Sequence, residues 1–390
     1  MTYDFNSVTD RHHTNSIKTD LAVARGKPED VLSLWVADMD FPTAPQILDA
    51  LHKKVEHGIF GYSVPDQSFY EAVKNWQKTE HNFEINRHWI VTTPGVVFAI
   101  ATAIKAFTQK NEAVLIQTPV YYPFKNMIVQ NERTLVTSSL VQKDGKYQID
   151  FEDFEKKIIE NNVKLFILCS PHNPVGRVWS RRELEQLSQI CLRHNVIVFA
   201  DEIHNDFVFE PNKHIVFSTI SDEIAQNCIV STSASKSFNL AGLQFSINFI
   251  QKPELKSRFK KEIDRTGYDE PSIMGLVATQ AAYEYGRKWF CELKNHLKSN
   301  LDYLRTFLKE RLPKVRLIEP EGTYLIWLDF SALGYSDAEL DDIIVNKAKL
   351  WLDRGTMFGP EGANFQRINI ATPRPVLQDA LERLEKVFKE

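Results

Sequence analysis

Cysteine is scarce in this chain, and its few cysteines are far apart. Four cysteines occur in 390 residues, at Cys169, Cys191, Cys228 and Cys291, and none belongs to a Cys-x-x-Cys pair or accompanies a pair of histidines. This spacing argues against a disulfide framework and against a zinc site. We therefore expect reduced, mostly buried thiols and no bound metal.

Long apolar runs and blocks of like charge are also missing. No uninterrupted apolar span approaches the length that crosses a membrane, and the stretch from Met1 to Asp20 lacks the apolar core of a signal peptide. The formal net charge is -4, and lysine and arginine form no long block. These features argue against a membrane or a nucleic acid as a partner. We expect a cytoplasmic protein.

What the chain does contain is an alternation of short apolar segments with helical ones. From residue 89 onward this alternation is typical of a parallel α/β sheet that is covered by helices on both faces. The clearest helix is Arg181–His194, because Ser180 and Glu183 form a capping box at its start. The candidate strands are Trp89–Thr92, Ala113–Gln117, Thr134–Thr137, Lys164–Cys169, Val196–Ala200 and Ile229–Ser231.

The pattern changes near residue 285. A long amphipathic helix, Lys288–Arg311, is followed by candidate strands Val315–Ile318 and Tyr324–Asp329. A chain of this length has room for two domains. We expect an N-terminal segment at residues 1–49 that packs with the small domain. A large α/β domain would follow at residues 50–285, and a small α+β domain at residues 286–390.

The stretch Ser231–Gln244 presents one lysine, Lys236, after an apolar strand and among serines that include Ser233. Hydroxyl and backbone N–H groups suit a phosphate, and a lysine amine in a dry site can lose its proton and attack a carbonyl. Together these two properties indicate a Schiff base with a phosphorylated aldehyde cofactor. A surface lysine in a serine-rich loop is the alternative at this point.

Two further loops follow the carboxyl ends of predicted parallel strands, where open α/β sheets bind ligands. The first carries Asn173 in a turn that two prolines and a glycine fix tightly. The second begins with Asp201, which ends so apolar a strand that its carboxylate needs a cation such as a protonated ring nitrogen. A helix N-cap is the other interpretation of Asp201.

A glycine turn and a pair of tyrosines follow two more of these strands. Gly95 opens an apolar helix, and the free N–H groups at such a helix start can bind a phosphate. Tyr121 and Tyr122 come just after strand Ala113–Gln117. An aromatic ring in that position can stack on a planar cofactor, although packing at an interface is the alternative.

An arginine near the C-terminus is the candidate for binding a substrate. If Ile368 and Ile370 face the core of the small domain, strand alternation puts Arg367 and Asn369 on the opposite face. A guanidinium there can hold a carboxylate with two parallel hydrogen bonds. An exposed strand arginine is the other possibility.

Taken together, these segments resemble the pyridoxal-phosphate enzymes of the aspartate aminotransferase fold, and among them the cystathionine β-lyase group of the MalY/PatB type. The resemblance implies an α/β protein of transferase fold type I. Its large domain would hold a mainly parallel seven-stranded sheet between helices, beside a smaller α+β domain. The signatures are Trp-Val-Ala-Asp-Met-Asp-Phe (35–41), Gly-Ile-Phe-Gly-Tyr (58–62), Pro-Val-Tyr-Tyr-Pro-Phe (119–124), Pro-His-Asn-Pro-Val-Gly-Arg-Val-Trp (171–179), Asp-Glu-Ile-His (201–204), Ser-Lys-Ser-Phe-Asn-Leu-Ala-Gly-Leu (235–243) and Gln-Arg-Ile-Asn-Ile-Ala (366–371).

The resemblance also implies a role for each candidate residue. Lys236 would hold pyridoxal 5'-phosphate as an internal aldimine and then act as the base at the substrate Cα, and Asp201 would pair with the pyridine nitrogen. The other implied contacts are Asn173 near the ring O3′, Tyr121 over the ring face, the Val96 and Val97 amides with Ser233 on the phosphate, Tyr62 on the phosphate of the neighbouring subunit's cofactor, and Arg367 on the substrate carboxylate.

The function that the resemblance implies is a carbon–sulfur β-lyase of L-cystathionine or related cysteine S-conjugates, which works as a homodimer with its active site at the subunit interface. Two positions depart from the aminotransferase pattern. His204 stands where a tyrosine lies near O3′, and Gln244 stands where an arginine often binds the phosphate. An amino-acid aminotransferase, or a regulatory binding protein that keeps the fold, remain the alternatives.

Overall fold

The computed structural model describes residues 3–143 and 145–389. The strands alternate with helices over the middle of the chain, as the apolar periodicity predicts. In chain order they are β1 (Leu32–Ser33), β2 (Ile90–Thr93), β3 (Ala113–Thr118), β4 (Thr134–Ser139), β5 (Val141–Lys143), β6 (Lys146–Gln148), β7 (Leu165–Cys169), β8 (Ile197–Asp201), β9 (Cys228–Thr232), β10 (Ser246–Phe249), β11 (Arg316–Leu317), β12 (Leu325–Asp329), β13 (Leu350–Trp351), β14 (Asp353–Arg354) and β15 (Phe365–Asn369).

The large sheet contains seven strands within the described ranges, in the order β2-β10-β9-β8-β7-β3-β4. The pairs from β9 to β4 are parallel, whereas β10 is antiparallel to both of its neighbours. The carboxyl ends of the parallel strands therefore meet at one edge. At that edge Cys169 lies opposite Asp201, and Asp201 lies opposite Ser231.

The six candidate strands of this sheet are confirmed to within one or two residues at each end, but β10 was missed. Its sequence alternates Ser246, Ile247, Asn248 and Phe249, and all four are buried. The two polar side chains are tolerated because they are hydrogen-bonded. The Asn248 amide donates to the Val91 carbonyl oxygen at 3.0 Å.

The helices lie between the strands, as the sequence pattern predicts. Arg181–Arg193 begins with the predicted capping box of Ser180 and Glu183. No helix in the described part of the chain is long and apolar enough to cross a membrane. The helices are α1 (Ile17–Asp20), α2 (Pro45–His57), α3 (Gln67–His81), α4 (Val96–Phe107), α5 (Pro123–Gln130), α6 (Phe151–Asn161), α7 (Arg181–Arg193), α8 (Asp222–Ala225), α9 (Ala234–Ser237), α10 (Pro253–Asp264), α11 (Ile273–Tyr285), α12 (Arg287–Arg311), α13 (Asp337–Asp342) and α14 (Arg374–Phe388).

Hydrophobic residues cover both faces of the large sheet. On β3, Leu115 belongs to one buried cluster and Ile116 to the other, since side chains alternate along a strand. The second cluster includes α4, which is apolar on most of its surface because the sheet and α10 both pack against it. A strand that is buried on both sides has no polar face, which explains the continuous apolar runs of the sequence.

A second, antiparallel sheet lies in the C-terminal part of the chain, with the order β11-β12-β15-β14. The N-terminal segment joins this part, because β1 pairs in parallel with β13 and the Trp35 ring stacks on Trp351 at 4.5 Å. The Asn369 N–H also donates to the Leu34 carbonyl oxygen at 2.9 Å. The division into residues 1–49, 50–285 and 286–390 stays a prediction.

The cysteines lie as their spacing suggested. Cys169, Cys191 and Cys228 are buried, Cys291 is exposed on α12, and all four are free thiols. Burial raises the pKa of the Cys169, Cys191 and Cys228 thiols, so these side chains stay protonated and act as small apolar groups.

Candidate active site

A cavity of about 270 Å³ lies at the edge where the parallel strands of the large sheet end. Seven of the predicted site residues line it. The complete lining comprises Ala37, Pro94, Gly95, Val96, Val97, Phe98, Tyr121, Cys169, Asn173, Asp201, Ile203, His204, Ser235, Lys236, Ala241, Gln244 and Phe245.

The start of α4 forms one wall of this cavity. Gly95 precedes the helix with φ +145°, a conformation that L side chains rarely adopt, and no side chain caps the helix. The N–H groups of Val96 and Val97 have no partner within the helix, because the first turn of any helix leaves its donors free. The positive end of the helix dipole adds to their attraction for an anion.

A buried polar cluster fixes the turn that presents these N–H groups. The Thr93 and Ser246 hydroxyls are 2.6 Å apart, and the Asn248 amide donates to the Thr93 hydroxyl at 3.0 Å. Ser246 and Asn248 were missed with strand β10, since hydrophobic alternation gives no weight to a buried polar residue. Their positions directly beside β2 make them part of the support for the Gly95 turn.

Lys236 lies in the short helix α9, just beyond the end of β9. Its amine donates to the Ala37 carbonyl oxygen at 2.7 Å, and the side chain lines the cavity. Burial lowers the pKa of Lys236 to about 8, although Asp38 and Asp201 oppose that effect. The surface-lysine alternative is therefore wrong, and the pKa of the amine lies much closer to physiological pH than that of an exposed lysine.

Asp201 is the last residue of β8, and its carboxylate is buried. It accepts a hydrogen bond from the Ile203 N–H at 3.1 Å, and no helix begins there, so the N-cap interpretation is wrong. Burial raises the pKa of Asp201 to about 7, while the Ile203 N–H and the Lys236 charge act in the other direction. A carboxyl group in this state gains from a cationic partner.

Arg367 is buried behind the cavity wall, with 2% of its surface exposed, so the exposed-arginine alternative is wrong. Its Nη1 donates to the Asn173 side-chain oxygen at 2.8 Å, which links it to a residue of the cavity lining. Its Nη2 donates to the Trp35 carbonyl oxygen at 3.0 Å and to Asp353. The Arg367 Nε is buried without a partner among the described residues.

Asp353 is a site residue that the sequence analysis missed. Burial raises its pKa, and the ion pair with Arg367 opposes that effect. The signal was available, because Asp353 follows the apolar run Leu350–Leu352 just as Asp201 follows an apolar strand. An acidic residue at the end of such a run needs a cation, and Arg367 is that cation.

Tyr121 and His204 line the cavity as expected. Burial raises the pKa of the Tyr121 hydroxyl, so the ring stays neutral. Burial also lowers the pKa of His204 well below its usual value, and the nearby Lys236 and Arg367 charges act in the same direction. The imidazole is therefore uncharged, and its Nδ1 is a buried atom without a hydrogen-bond partner among the residues described.

The structure does not bring Ser233 or Tyr62 to this cavity. The Ser233 hydroxyl donates to the Phe245 carbonyl oxygen and accepts from the Ser235 N–H, so it serves as a cap for α9. Ser235 lines the cavity instead. Tyr62 lies in a segment without regular secondary structure, with 95% of its surface exposed.

Gln244 lines the cavity in the position where the aminotransferase pattern often has an arginine. It is exposed and has φ +50°. An amide carries no charge, so any attraction for an anion on this side depends on the α4 N–H groups and on hydroxyl groups such as that of Ser235.

The chemistry of this lining fits a phosphorylated pyridine aldehyde. The α4 N–H groups suit the phosphate, the Asp201 carboxylate suits a protonated ring nitrogen, and the Lys236 amine can combine with the aldehyde. The partnerless Nδ1 of His204 offers a further polar contact. No group of three or more potential ligands in the described residues is arranged to hold a metal ion.

Comparison with known proteins points to the same chemistry. The family model for aminotransferase class I and II matches residues 29–384. Cystathionine beta-lyase PatB of Bacillus subtilis is 41% identical over 382 residues, which cover 98% of this chain and 99% of that protein.

Two solved structures share the whole fold. Cystalysin from Treponema denticola, which contains pyridoxal 5'-phosphate, matches with a TM-score of 0.97 and 36% identity over 100% of this chain and 99% of that one. The PLP-bound C-S lyase from Staphylococcus hominis matches with a TM-score of 0.93 and 33% identity over 100% and 99%. The expected fold class is thus confirmed.

The motif resemblance is confirmed as well: this chain belongs to the aminotransferase class I and II family, and within it to the group that contains the cystathionine β-lyases.

Proposed function

We propose that this protein is a pyridoxal-phosphate-dependent carbon–sulfur β-lyase. Its substrate would be L-cystathionine or a related cysteine S-conjugate, and its products a thiol, pyruvate and ammonia. The observation that carries the proposal is the convergence of Lys236, Asp201 and Asn173 with the start of α4 in one cavity. The identity to PatB, which is named a cystathionine beta-lyase, supports the choice of substrate.

The cofactor, when bound, supplies an aldehyde that combines with amines and an electron-poor ring that takes up negative charge from the substrate Cα. Val96 and Val97 would hold its phosphate with their backbone N–H groups, and Ser235 lines the same cavity. A role for Ser233 at the phosphate stays a prediction, since its hydroxyl bonds to Phe245. Because position 244 holds a glutamine and not an arginine, these uncharged donors would bind the phosphate.

Lys236 would combine with the cofactor aldehyde and, once substrate has displaced it, remove the proton from the substrate Cα. A pKa of about 8 suits both tasks, because an effective base has a pKa near the working pH. Such a positioned base typically accelerates proton transfer by roughly 100- to 10,000-fold. The 2.7 Å hydrogen bond to Ala37 shows that the free amine can be held inside the cavity.

Asp201 would keep a proton on the pyridine nitrogen. Its carboxylate is desolvated, so a cationic ring nitrogen relieves the cost of burying its charge. The ring would rest against Tyr121, and the neutral His204 would offer an uncharged polar contact beside it.

Arg367 would bind the substrate carboxylate together with Asn173. The two side chains are already joined at 2.8 Å, and the Arg367 Nε has no partner in the described chain. Asp353 and the Trp35 carbonyl oxygen both accept from Nη2. The Nε–H and a second Nη1 hydrogen, on different edges of the guanidinium, remain as donors, and each can reach a carboxylate oxygen.

The partner that we propose is a second copy of this chain. The segment Gly58–Val64 exposes a series of apolar side chains that a monomer leaves in water: Ile59, Phe60, Tyr62 and Val64. Contiguous exposed apolar residues mark interaction sites more often than isolated ones do. Tyr62 would then reach the neighbouring subunit's cofactor phosphate and complete the site at the interface.

The direct test is product analysis with purified protein. L-Cystathionine should give thiol and pyruvate in equal amounts without any added 2-oxo acid. Lys236→Ala should lower the rate by at least about 100-fold, because the same amine both combines with the cofactor and acts as the base at the substrate Cα. Lys252→Ala, at the start of α10, is the matched control and should match the wild type. Product that forms only when a 2-oxo acid is supplied would identify an aminotransferase instead.

Arg367→Lys tests how the substrate carboxylate is held. Lysine keeps the positive charge beside Asp353 but loses the planar pair of donors. Hydrogen bonds to charged groups contribute about 1.5–3 kcal/mol, so kcat/KM should fall roughly 10- to 100-fold, mostly through KM. Arg182→Lys, at an exposed position of α7, is the control. An unchanged KM for Arg367→Lys would remove Arg367 from the substrate site.

Replacement of Tyr62 tests the shared site. The purified protein should sediment as a dimer, and Tyr62→Phe should stay dimeric yet release the cofactor more readily on dialysis, since one phosphate contact is lost. Tyr285→Phe, at an exposed tyrosine of α11, serves as the control. A monomeric wild-type protein with full activity would contradict the proposal.

A further inference from the structure

Four charged side chains form a cluster beside the N-terminal segment that borders the cavity. Arg11 Nη1 and Nη2 donate to the two carboxylate oxygens of Asp38 at 2.9 and 2.6 Å, and Nη1 also donates to Asp40 at 2.8 Å. The buried Lys18 amine donates to both oxygens of Asp40 at 2.8 Å. Two cations and two anions therefore neutralise one another over residues 38–40.

The residue next to Asp38 is Ala37, whose carbonyl oxygen holds Lys236. That oxygen accepts from the Lys236 amine at 2.7 Å and from the Tyr324 hydroxyl at 3.1 Å. The backbone on either side is held as well, because the Asn369 amide donates to the Val36 and Asp38 carbonyl oxygens at 2.8 and 2.6 Å. The direction of the Ala37 carbonyl is thus set by contacts on both of its neighbours.

We infer that Asp38 is a positioning residue for Lys236. Its bidentate ion pair with Arg11 fixes the peptide that carries the Ala37 carbonyl oxygen. That oxygen accepts from the Lys236 amine and so aligns it. Its negative charge also favours the protonated form of the amine. Asp38 therefore acts on the reacting nitrogen without touching substrate or cofactor.

The charges around Lys236 determine the sign of the effect. Burial lowers the pKa of Lys236, Asp38 and Asp201 raise it, and Arg367 lowers it. The polar groups that share these surroundings are those of His204 and Tyr324. Loss of the Asp38 charge disfavours the ammonium form of Lys236. If the Ala37 carbonyl also moves, the ammonium loses its hydrogen-bond acceptor. Both changes lower the pKa of Lys236.

A merely structural role for the cluster predicts something different. Asp40 bonds to the same Arg11 and also to Lys18, so it anchors the segment at least as firmly as Asp38 does. It is three residues away from Ala37, however, and Asp38 is adjacent. If the cluster only stabilises the fold, the two aspartates should be equivalent in their effect on Lys236.

The test measures the Lys236 amine in the full-length protein after the cofactor has been removed. Cyanate reacts with neutral amines, so the carbamylation rate of the Lys236 peptide, followed by mass spectrometry between pH 6 and 10, gives the midpoint of its titration. The wild-type midpoint should be about 8. Circular dichroism confirms that each variant is folded.

Asp38→Asn should lower this midpoint by about one pH unit, because a negative charge that favours the ammonium form of Lys236 is removed. Asp40→Asn should change it by less than about 0.3 unit, and Asp38→Glu should restore the wild-type value to within about 0.3 unit. If Asp38→Asn does not fold, Asp38→Ser removes the same charge in a smaller side chain and should give the same shift.

An unchanged midpoint in Asp38→Asn, or equal shifts in Asp38→Asn and Asp40→Asn, would overturn the inference. The inference rests on the proposed role of Lys236, but the carbamylation assay needs neither cofactor nor turnover. A protein that fails to cleave cystathionine can still show the Asp38 effect, so failure of the two proposals can be told apart.

Discussion

The burial of two ionisable groups at the ends of adjacent strands is the constraint on which the rest of the site depends. Asp201 ends β8, and Lys236 follows β9, its parallel neighbour. Removal from water brings the pKa of the acid up to about 7 and that of the base down to about 8. Both groups therefore titrate close to physiological pH, and each needs a ligand of complementary chemistry to be fully satisfied.

A second set of buried charges, Arg367 and Asp353, is linked to the cavity through Asn173. Arg367 on β15 is neutralised by Asp353 and bonds to Asn173, which belongs to the large sheet's edge. The N-terminal segment joins both sets, since the Trp35 carbonyl oxygen accepts from Arg367 and the Ala37 carbonyl oxygen accepts from Lys236. The backbone of this segment thus ties the residue proposed to bind substrate to the one proposed to react.

Much of this could be predicted from sequence because apolar strands are easy to recognise and polar residues at their ends are conspicuous. Asp201, Asn173 and Lys236 were found in this way, and all three line the cavity. Asp353 carried the same signal on a shorter strand and was missed. Strand β10 was missed for another reason, since its Ser246 and Asn248 are buried and form their side-chain hydrogen bonds through long-range contacts with β2.

Other features depend on geometry that no local pattern contains. The sequence motif puts both Ser233 and Ser235 within three residues of Lys236. Of the two, Ser235 lines the cavity, whereas the Ser233 hydroxyl caps α9 and bonds to Phe245. The role inferred for Asp38 depends on Arg11, a residue 27 positions away in sequence. Such pairings are decided by the tertiary fold.

The central claim is that Asp201 is a buried charge in need of a cationic ligand, and thermal unfolding of the full-length protein at pH 8 tests it most directly. The folded-state pKa of Asp201 is raised above the unfolded value, so stability falls as pH rises from about 4 to about 7, and the full loss is present at pH 8. Without cofactor, Asp201→Asn should therefore melt at a temperature equal to or higher than the wild type.

With pyridoxal 5'-phosphate in excess, the melting temperature of the wild type should rise clearly more than that of Asp201→Asn, because ligand affinity converts directly into stability. Asp222→Asn, at the exposed start of α8, should behave as the wild type in both conditions. An equal gain for Asp201→Asn and the wild type would contradict the account.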